Sequence, residues 1–274
     1  MAANRKFLVS AMVCATAIAG LAGCSKDTKA KGDSEEKAKE PAAATTSKAP
    51  VDPFAGLTAD QIGDKALTAT KAAQSIRMAG RIKSDGEQLT VDFAVDTKGA
   101  CTGKMGVKAG KAELLQANKV MYMKGDEKFW RASMSEDGSS GKETDSVVEL
   151  MKGRWMKMPA GSSGDMDGVC DLKAMIADMD KDKSERKGMT KGPDAEVDGQ
   201  ATATVVKKAA NGETTTMYVA KEGEPYLLKV VKVGGDEPGT MVFSDYNKPV
   251  NAVAPPADQV VDLEKLGAGS GNGA

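Results

Sequence analysis

Along most of this 274-residue chain, apolar and polar positions alternate with a period of two. The clearest run is 88–96. Leu89, Val91, Phe93 and Val95 fall on one side, and Thr90, Asp92, Ala94 and Asp96 on the other. That pattern marks a strand with one buried face. A second alternating run over 77–83 precedes it, and Ser84-Asp85-Gly86-Glu87 between them carries the Asp-Gly signal of a hairpin turn. Short strands are predicted over 101–108, 112–117, 119–124 and 154–158. Longer ones are predicted over 197–207, 214–221, 226–233 and 240–246, separated by Gly-rich turns, with Asn211-Gly212 marking another hairpin.

Two stretches have the helical period instead. Thr58-Ala59-Asp60-Gln61 fits a capping box, and Ile62, Ala66, Ala69, Ala73 and Ile76 then recur at spacings of four and three. This face is mostly alanine, so the helix can lie close to whatever covers it. A second, shorter helix is predicted over 171–179, with Leu172, Met175, Ile176 and Met179 on one side. Residues after Glu127 read as helical and irregular. One leading helix, a large antiparallel meander and helices inserted in its middle make an α+β pattern.

The beginning of the chain follows neither period. Arg5 and Lys6 precede an almost wholly apolar or small run, 7–20, which ends in Leu21-Ala22-Gly23-Cys24. A basic start, an apolar middle and a small-residue exit describe a secretory signal peptide. The run is shorter than the roughly 20 residues that cross a bilayer as a helix. Leu-Ala-Gly-Cys resembles the bacterial lipobox. That resemblance implies removal of residues 1–23 and a lipid on the Cys24 sulfur, which anchors the protein to the extracytoplasmic face of the bacterial cell membrane. Residues 24–52 then form a linker whose lysines and acids balance and whose side chains are too small to bury much surface, so disorder is expected. A single folded domain is expected over 53–266, followed by a flexible Gly-rich tail, 267–274.

Composition narrows the chemistry. The chain has no histidine, which excludes a Ser-His-Asp triad, a Cys-His pair and a histidine metal site. Its net charge is −1, and removing the two bases Arg5 and Lys6 takes it to −3. That is no footprint for nucleic acid. No P-loop or dinucleotide fingerprint appears, and no cofactor is expected. Asp178, Asp180 and Asp182 have calcium-loop spacing, but Lys183 and Met189 stand where the loop needs glycine and glutamate. Gly-Ser-Ser-Gly at 138–141 and 161–164 does not match the nucleophile elbow.

Of four cysteines, Cys14 lies in the signal segment and Cys24 takes the lipid. Cys101 and Cys170 remain, an even pair in an oxidising compartment, and are expected to be bonded to each other. Two free thiols or a metal pair are the alternatives, although two cysteines without histidine make a poor zinc site. Met121 and Met123, and Met156 and Met158, place pairs of thioethers on one side of a strand. Such pairs can hold Cu(I), fill an irregular core or line an adaptable apolar surface. Trp130 and Trp155 flank the irregular middle, either as core or at the mouth of an apolar cavity.

Several local runs carry a family resemblance: the leading helix; Val120-Met121-Tyr122-Met123-Lys124-Gly125 followed by Phe129-Trp130; Arg154-Trp155-Met156-Lys157-Met158-Pro159; and the close FSDYNKPVNAVAPP from Phe243 to Pro256. Together they resemble the bacterial lipoproteins of the LppX/LprG type, related to the lipoprotein carrier LolA, over about 57–263. The resemblance implies a curved antiparallel half-barrel with helices covering its concave face and an apolar cavity between them. It implies a membrane-anchored, non-catalytic carrier or sensor that binds a lipid, lipoglycan or other lipid-linked molecule, and it leaves room for an envelope protein partner. Leu89, Val91, Phe93 and Val95 are the first candidates for the lining, with Met121, Met123, Trp130, Met217 and Val219 behind them. The competing reading is a structural or interaction lipoprotein of the same fold with a packed core and no ligand. A continuous void between sheet and helices separates the two.

Overall fold

The computed structural model describes residues 52–84, 86–136, 141–158, 168–181, 187–262 and 265. The signal segment, Cys24, the linker up to residue 51 and the tail lie outside the described residues, as do both Gly-Ser-Ser-Gly runs apart from Gly141.

The chain opens with α1 (Ala59–Ala72), and both reciprocal bonds of the predicted capping box at Thr58 and Gln61 are present. The helix buries Ile62, Gly63, Ala66, Ala69 and Thr70 and ends at Ala73, whose backbone is extended. Gly63 lets it approach closely, since a β-carbon there would lie 2.7 Å from Met189 Cε. Ile76, expected on the helix face, belongs instead to the first strand. The apolar spacing carried past the helix end because Ala73 and Ile76 are both buried by the same core.

There follow β1 (Ser75–Ser84), β2 (Glu87–Asp96), β3 (Cys101–Val107), β4 (Gly110–Ala117) and β5 (Val120–Gly125). Lys119, expected to start a strand, is the second residue of a tight turn; Asn118 and Lys119 both have positive φ, 53° and 64°, as a two-residue hairpin of this hand requires. The irregular middle resolves into α2 (Glu127–Glu136), α3 (Lys142–Met151), β6 (Trp155–Lys157) and α4 (Leu172–Lys181). The second half holds β7 (Thr190–Lys191), β8 (Ala195–Val197), β9 (Gln200–Lys208), β10 (Thr214–Ala220), β11 (Leu227–Val233), β12 (Gly239–Ser244) and β13 (Val260–Asp262).

These strands form one open sheet in the order β13-β6-β5-β4-β3-β2-β1-β12-β11-β10-β9-β7, with β8 also paired to β9. Every pairing is antiparallel except β13 with β6. The first half of the meander thus joins the second through β1 and β12, which pair from Arg77 opposite Ser244 to Ile82 opposite Gly239. The architecture is α+β, a curved half-barrel with its helices on one face.

Three apolar clusters lie between that face and the helices. Under α1 are Phe54, Ile62, Ala66, Met189, Val205 and Val219. Beside α2 and α3 are Trp130, Val148, Met151, Met156 and Val261. Between them is the largest, with Ile76, Phe93, Val95, Leu114, Leu172 and Phe243. Cys101 and Cys170 are bonded, 69 residues apart, which fastens the entrance of α4 to β3. In the chain-entropy account a loop of this length stabilises the fold by about 4 kcal/mol.

Candidate functional site

Strand register sorts the helix face into rows that cross the sheet. Ile76, Val95 and Cys101 stand opposite one another in β1, β2 and β3, beside the disulfide. Val95 and Cys101 are both 0% exposed. The next row runs Phe243, Met78, Phe93, Gly103, Leu114, Met123. It is also filled. The Phe93 ring lies over Gly103, where a β-carbon would come within 1.9 Å of Cδ1.

The third row differs. It runs Met241, Gly80, Val91, Met105, Ala112, Gly125 from β12 to β5. Met241, Val91 and Met105 are only half-buried, and the rest are the small residues glycine and alanine. Beyond it, Leu89 and its partner Ile82 are also half-buried. The core therefore thins from the disulfide end toward the β1–β2 turn.

An open cleft of about 1280 Å³ begins where it thins, and its walls include Val91, Met105, Ala112 and Gly125. Most of its lining is polar: Thr90, Asp92, Lys104, Glu113 and Lys124 reach it from the opposite parity of the same strands, with Arg81, Glu87, Lys111, Asp126 and Lys152 around them. Asp126 also builds the site: its carboxylate accepts from the backbone N–H groups of Lys111 and Phe129, which ties the start of α2 to β4. Trp130 on that helix packs against Gly125, and its Nε1–H has no acceptor among the described residues.

The nine candidate lining residues are thus divided. Val91 lines the cleft, and Leu89 sits half-buried next to it. Phe93, Val95, Met121 and Met123 are buried in the filled rows, and Trp130 is buried under α2. Met217 and Val219 lie away on β10, where Val219 packs under α1 and Met217 bridges two clusters. Met105, Met241 and Gly125 were not singled out from the sequence. The signal for Met105 is its parity with Cys101 in a strand whose inward face was left unassigned.

The chain has a likeness in fold to several solved structures. With LprF from Mycobacterium bovis it shares 15% identity and a TM-score of 0.48, over 73% of this chain and 97% of that one. With LppX from Mycobacterium tuberculosis the identity is 15% and the TM-score 0.46, over 71% and 98%. With the MucA/MucB complex of Pseudomonas aeruginosa the identity is 11% and the TM-score 0.31, over 73% and 59%. These are likenesses of shape. No family model matches the chain, and no curated protein matches it. LppX, whose type the local runs resemble, is among these neighbours.

Across β2–β5 the other face of the sheet is polar. Asp92, Lys104, Glu113 and Lys124 stand opposite one another across four strands, alternating in charge. Arg77 donates two hydrogen bonds to Asp92, at 2.8 and 2.7 Å, and holds that carboxyl below the usual range. Trp155 belongs to this face and carries Lys124 Nζ 5.7 Å from its ring centroid. Among the described residues no helix is long and apolar enough to cross a membrane.

Proposed function

We propose that the protein is a lipid-anchored envelope lipoprotein that binds an acylated or otherwise hydrophobic molecule at the open end of its helix face, where the cleft begins. The observation that carries this reading is the third row, where Val91, Met105 and Met241 remain half-buried beside a large open cleft although their neighbours one row away are sealed. Burying acyl carbons there yields about 0.8 kcal/mol per CH₂, so retention needs no charged or catalytic group. The flexible thioether of Met105 suits a wall that adapts to chains of differing shape. The anchor at Cys24 follows from the lipobox resemblance and keeps the domain near the source of such molecules. Its check is whether Cys24→Ala protein leaves the washed membrane fraction.

Uptake of a fluorescent fatty-acyl probe by the purified mature protein tests the binding. Val91→Trp fills the cleft wall and should weaken uptake about tenfold, the loss of one or two buried CH₂ groups, while the melting temperature moves little. Wild-type protein that takes up no probe would exclude the carrier reading. A second reading, a packed interaction lipoprotein without a ligand, draws on the two filled rows, in which Val95, Phe93 and Leu114 leave no space. Equal uptake by wild type and variant, with both unfolding alike, favours it.

A further inference from the structure

Charge is unevenly paired in the cleft. Six bases and five acids line it, although the whole chain carries one more acid than base. Most of these acids already have donors. Asp92 takes two hydrogen bonds from Arg77. Asp126 accepts from the backbone N–H groups of Lys111 and Phe129, and Glu127 pairs with Arg131. Among the bases, Lys152 pairs with Glu149, and Lys124 lies over the Trp155 ring. The side chains of Arg81, Lys104, Lys108 and Lys111 make no hydrogen bond or ion pair among the described residues.

Strand register sets these bases around a floor of small residues. Arg81, Thr90, Gly106 and Lys111 stand opposite one another from β1 to β4, with the parity of the face opposite the helices. Arg81 and Lys111 therefore flank Thr90 and Gly106. Lys104 shares the parity of Gly106 on β3, and Glu113 stands opposite it. The floor is open. A β-carbon on Gly106 would meet only Lys111 Cγ at 3.8 Å and Thr90 Cβ at 4.0 Å. Thr90 is exposed, and its hydroxyl has no hydrogen bond among the described residues. The three strand spacings from Arg81 to Lys111 measure about 14 Å, close to the summed reach of the two side chains. Both heads can close on one group above the floor.

We infer that this part of the cleft binds the phosphate group of a phosphate ester, held by Arg81, Lys104 and Lys111 over the Thr90 hydroxyl. Such a site stands independently of acyl binding on the helix face. Unpaired bases gathered in a concave site repel one another and focus a positive potential there. An anion relieves that repulsion. Phosphate suits this donor set: a guanidinium donates two parallel N–H bonds to a pair of its oxygens, the ammonium groups act as point charges, and the hydroxyl adds a further donor. A carboxylate, with two oxygens, leaves part of the set idle. Glu113 beside Lys104 repels an anion and so limits the affinity. The cleft, at about 1280 Å³, is far larger than one phosphate, so the body of the ester occupies the rest. Soluble phosphate esters and lipid headgroups both carry the group that this chemistry recognises.

Calorimetric titration of the purified mature protein tests the site with three probes: glycerol phosphate, dihexanoyl phosphatidic acid and dihexanoylglycerol, which lacks the phosphate. Both phosphate esters should bind. Lys104→Gln combined with Lys111→Gln should weaken each about tenfold, the worth of two exposed charge contacts, and leave dihexanoylglycerol where it was. Both lysines are exposed, so the double variant keeps the fold. Glu113→Gln should tighten both esters about threefold by removing the repelling carboxylate. Lys83→Gln removes an exposed base of β1 that does not line the cleft, and should change nothing. Equal binding of the two esters supports a soluble ester as the source. Phosphatidic acid that binds where glycerol phosphate does not, and weakens in the double variant, supports a lipid headgroup. Failure of both esters, affinities that the double variant leaves unchanged, or an equal loss in Lys83→Gln overturns the phosphate site. Dihexanoylglycerol reports on the carrier reading alone, so the two readings fail separately.

Discussion

The two ends of the helix face are built from the same strands and differ in how they are closed. At the disulfide end, Val95 and Cys101 are fully buried and Leu114 is 1% exposed. At the β1–β2 turn end, Leu89, Val91 and Met105 are half-buried and border the cleft. Side chains of similar apolarity point to the same side in both places. What separates them is what lies above. The Cys101–Cys170 bond brings Leu172 and Ile176 of α4 down onto the first end, where they join the central cluster. A sheet face is thus a core only where a covering element is fastened over it, and is otherwise a binding surface in waiting.

The largest effect should come from unfastening the closed end. Replacing Cys101 and Cys170 together with serine should destabilise the fold by about 4 kcal/mol, read as a lowered denaturant midpoint. Amides of β2 and β3 near Val95 should then exchange as readily as those near Leu89. If the midpoint is unchanged and the two ends still differ in exchange, the bond is not what closes that end.

A smaller and more local effect should follow from truncating one residue at each end. Leu114→Ala removes a fully buried side chain and should cost about 3 kcal/mol, whereas Val91→Ala at a half-buried site should cost about 1 kcal/mol or less. Urea titration of the two variants gives both numbers. Similar costs would mean that the open end is sealed in solution.

The smallest effect belongs to the opposite face, on which none of the described helices α1–α4 lies. Arg77 holds the Asp92 carboxyl below its ordinary range, chiefly through the paired hydrogen bonds. The unfolded chain therefore takes up the proton first as the pH falls. The pair's contribution is present above the ordinary carboxylate range and is lost as the pH drops through the lowered folded value. Both side chains are more than 40% exposed, so solvent screening keeps the contribution small. Arg77→Met should flatten the acid limb of stability slightly. A large loss of stability near neutral pH would contradict this.

Much of the fold was legible because it is local. The alternation in 88–96 placed Leu89, Val91, Phe93 and Val95 on one side, and the capping residues Thr58 and Gln61 located the first helix. The thin alanine face of that helix matched its close seat on the sheet. The errors also have local causes. Ile76 continues the helical spacing by coincidence, and Lys119 looks like a strand residue until Asn118 is seen to share its positive φ. The strand predicted over 154–158 is β6, whereas the three-residue β13 could not be read, since its pairing with β6 joins residues about a hundred positions apart.

The candidate site divides along the same line. Which residues face inward is a matter of parity, a property of the backbone that each strand carries by itself, and the sequence determined it for β2 without help. Whether an inward residue is sealed or exposed depends on register with neighbouring strands and on what covers the row. Val91 and Phe93 have the same parity and lie two residues apart. Yet Phe93 stacks over Gly103 into a filled row, while Val91 falls in the row of Gly80, Met105, Ala112 and Gly125. Those partners come from four other strands, and Trp130 reaches the end of the row only because Asp126 ties α2 to Lys111. Contacts between distant segments are decided by pairing and packing, so only the tertiary structure could separate the wall of the cleft from the core behind it.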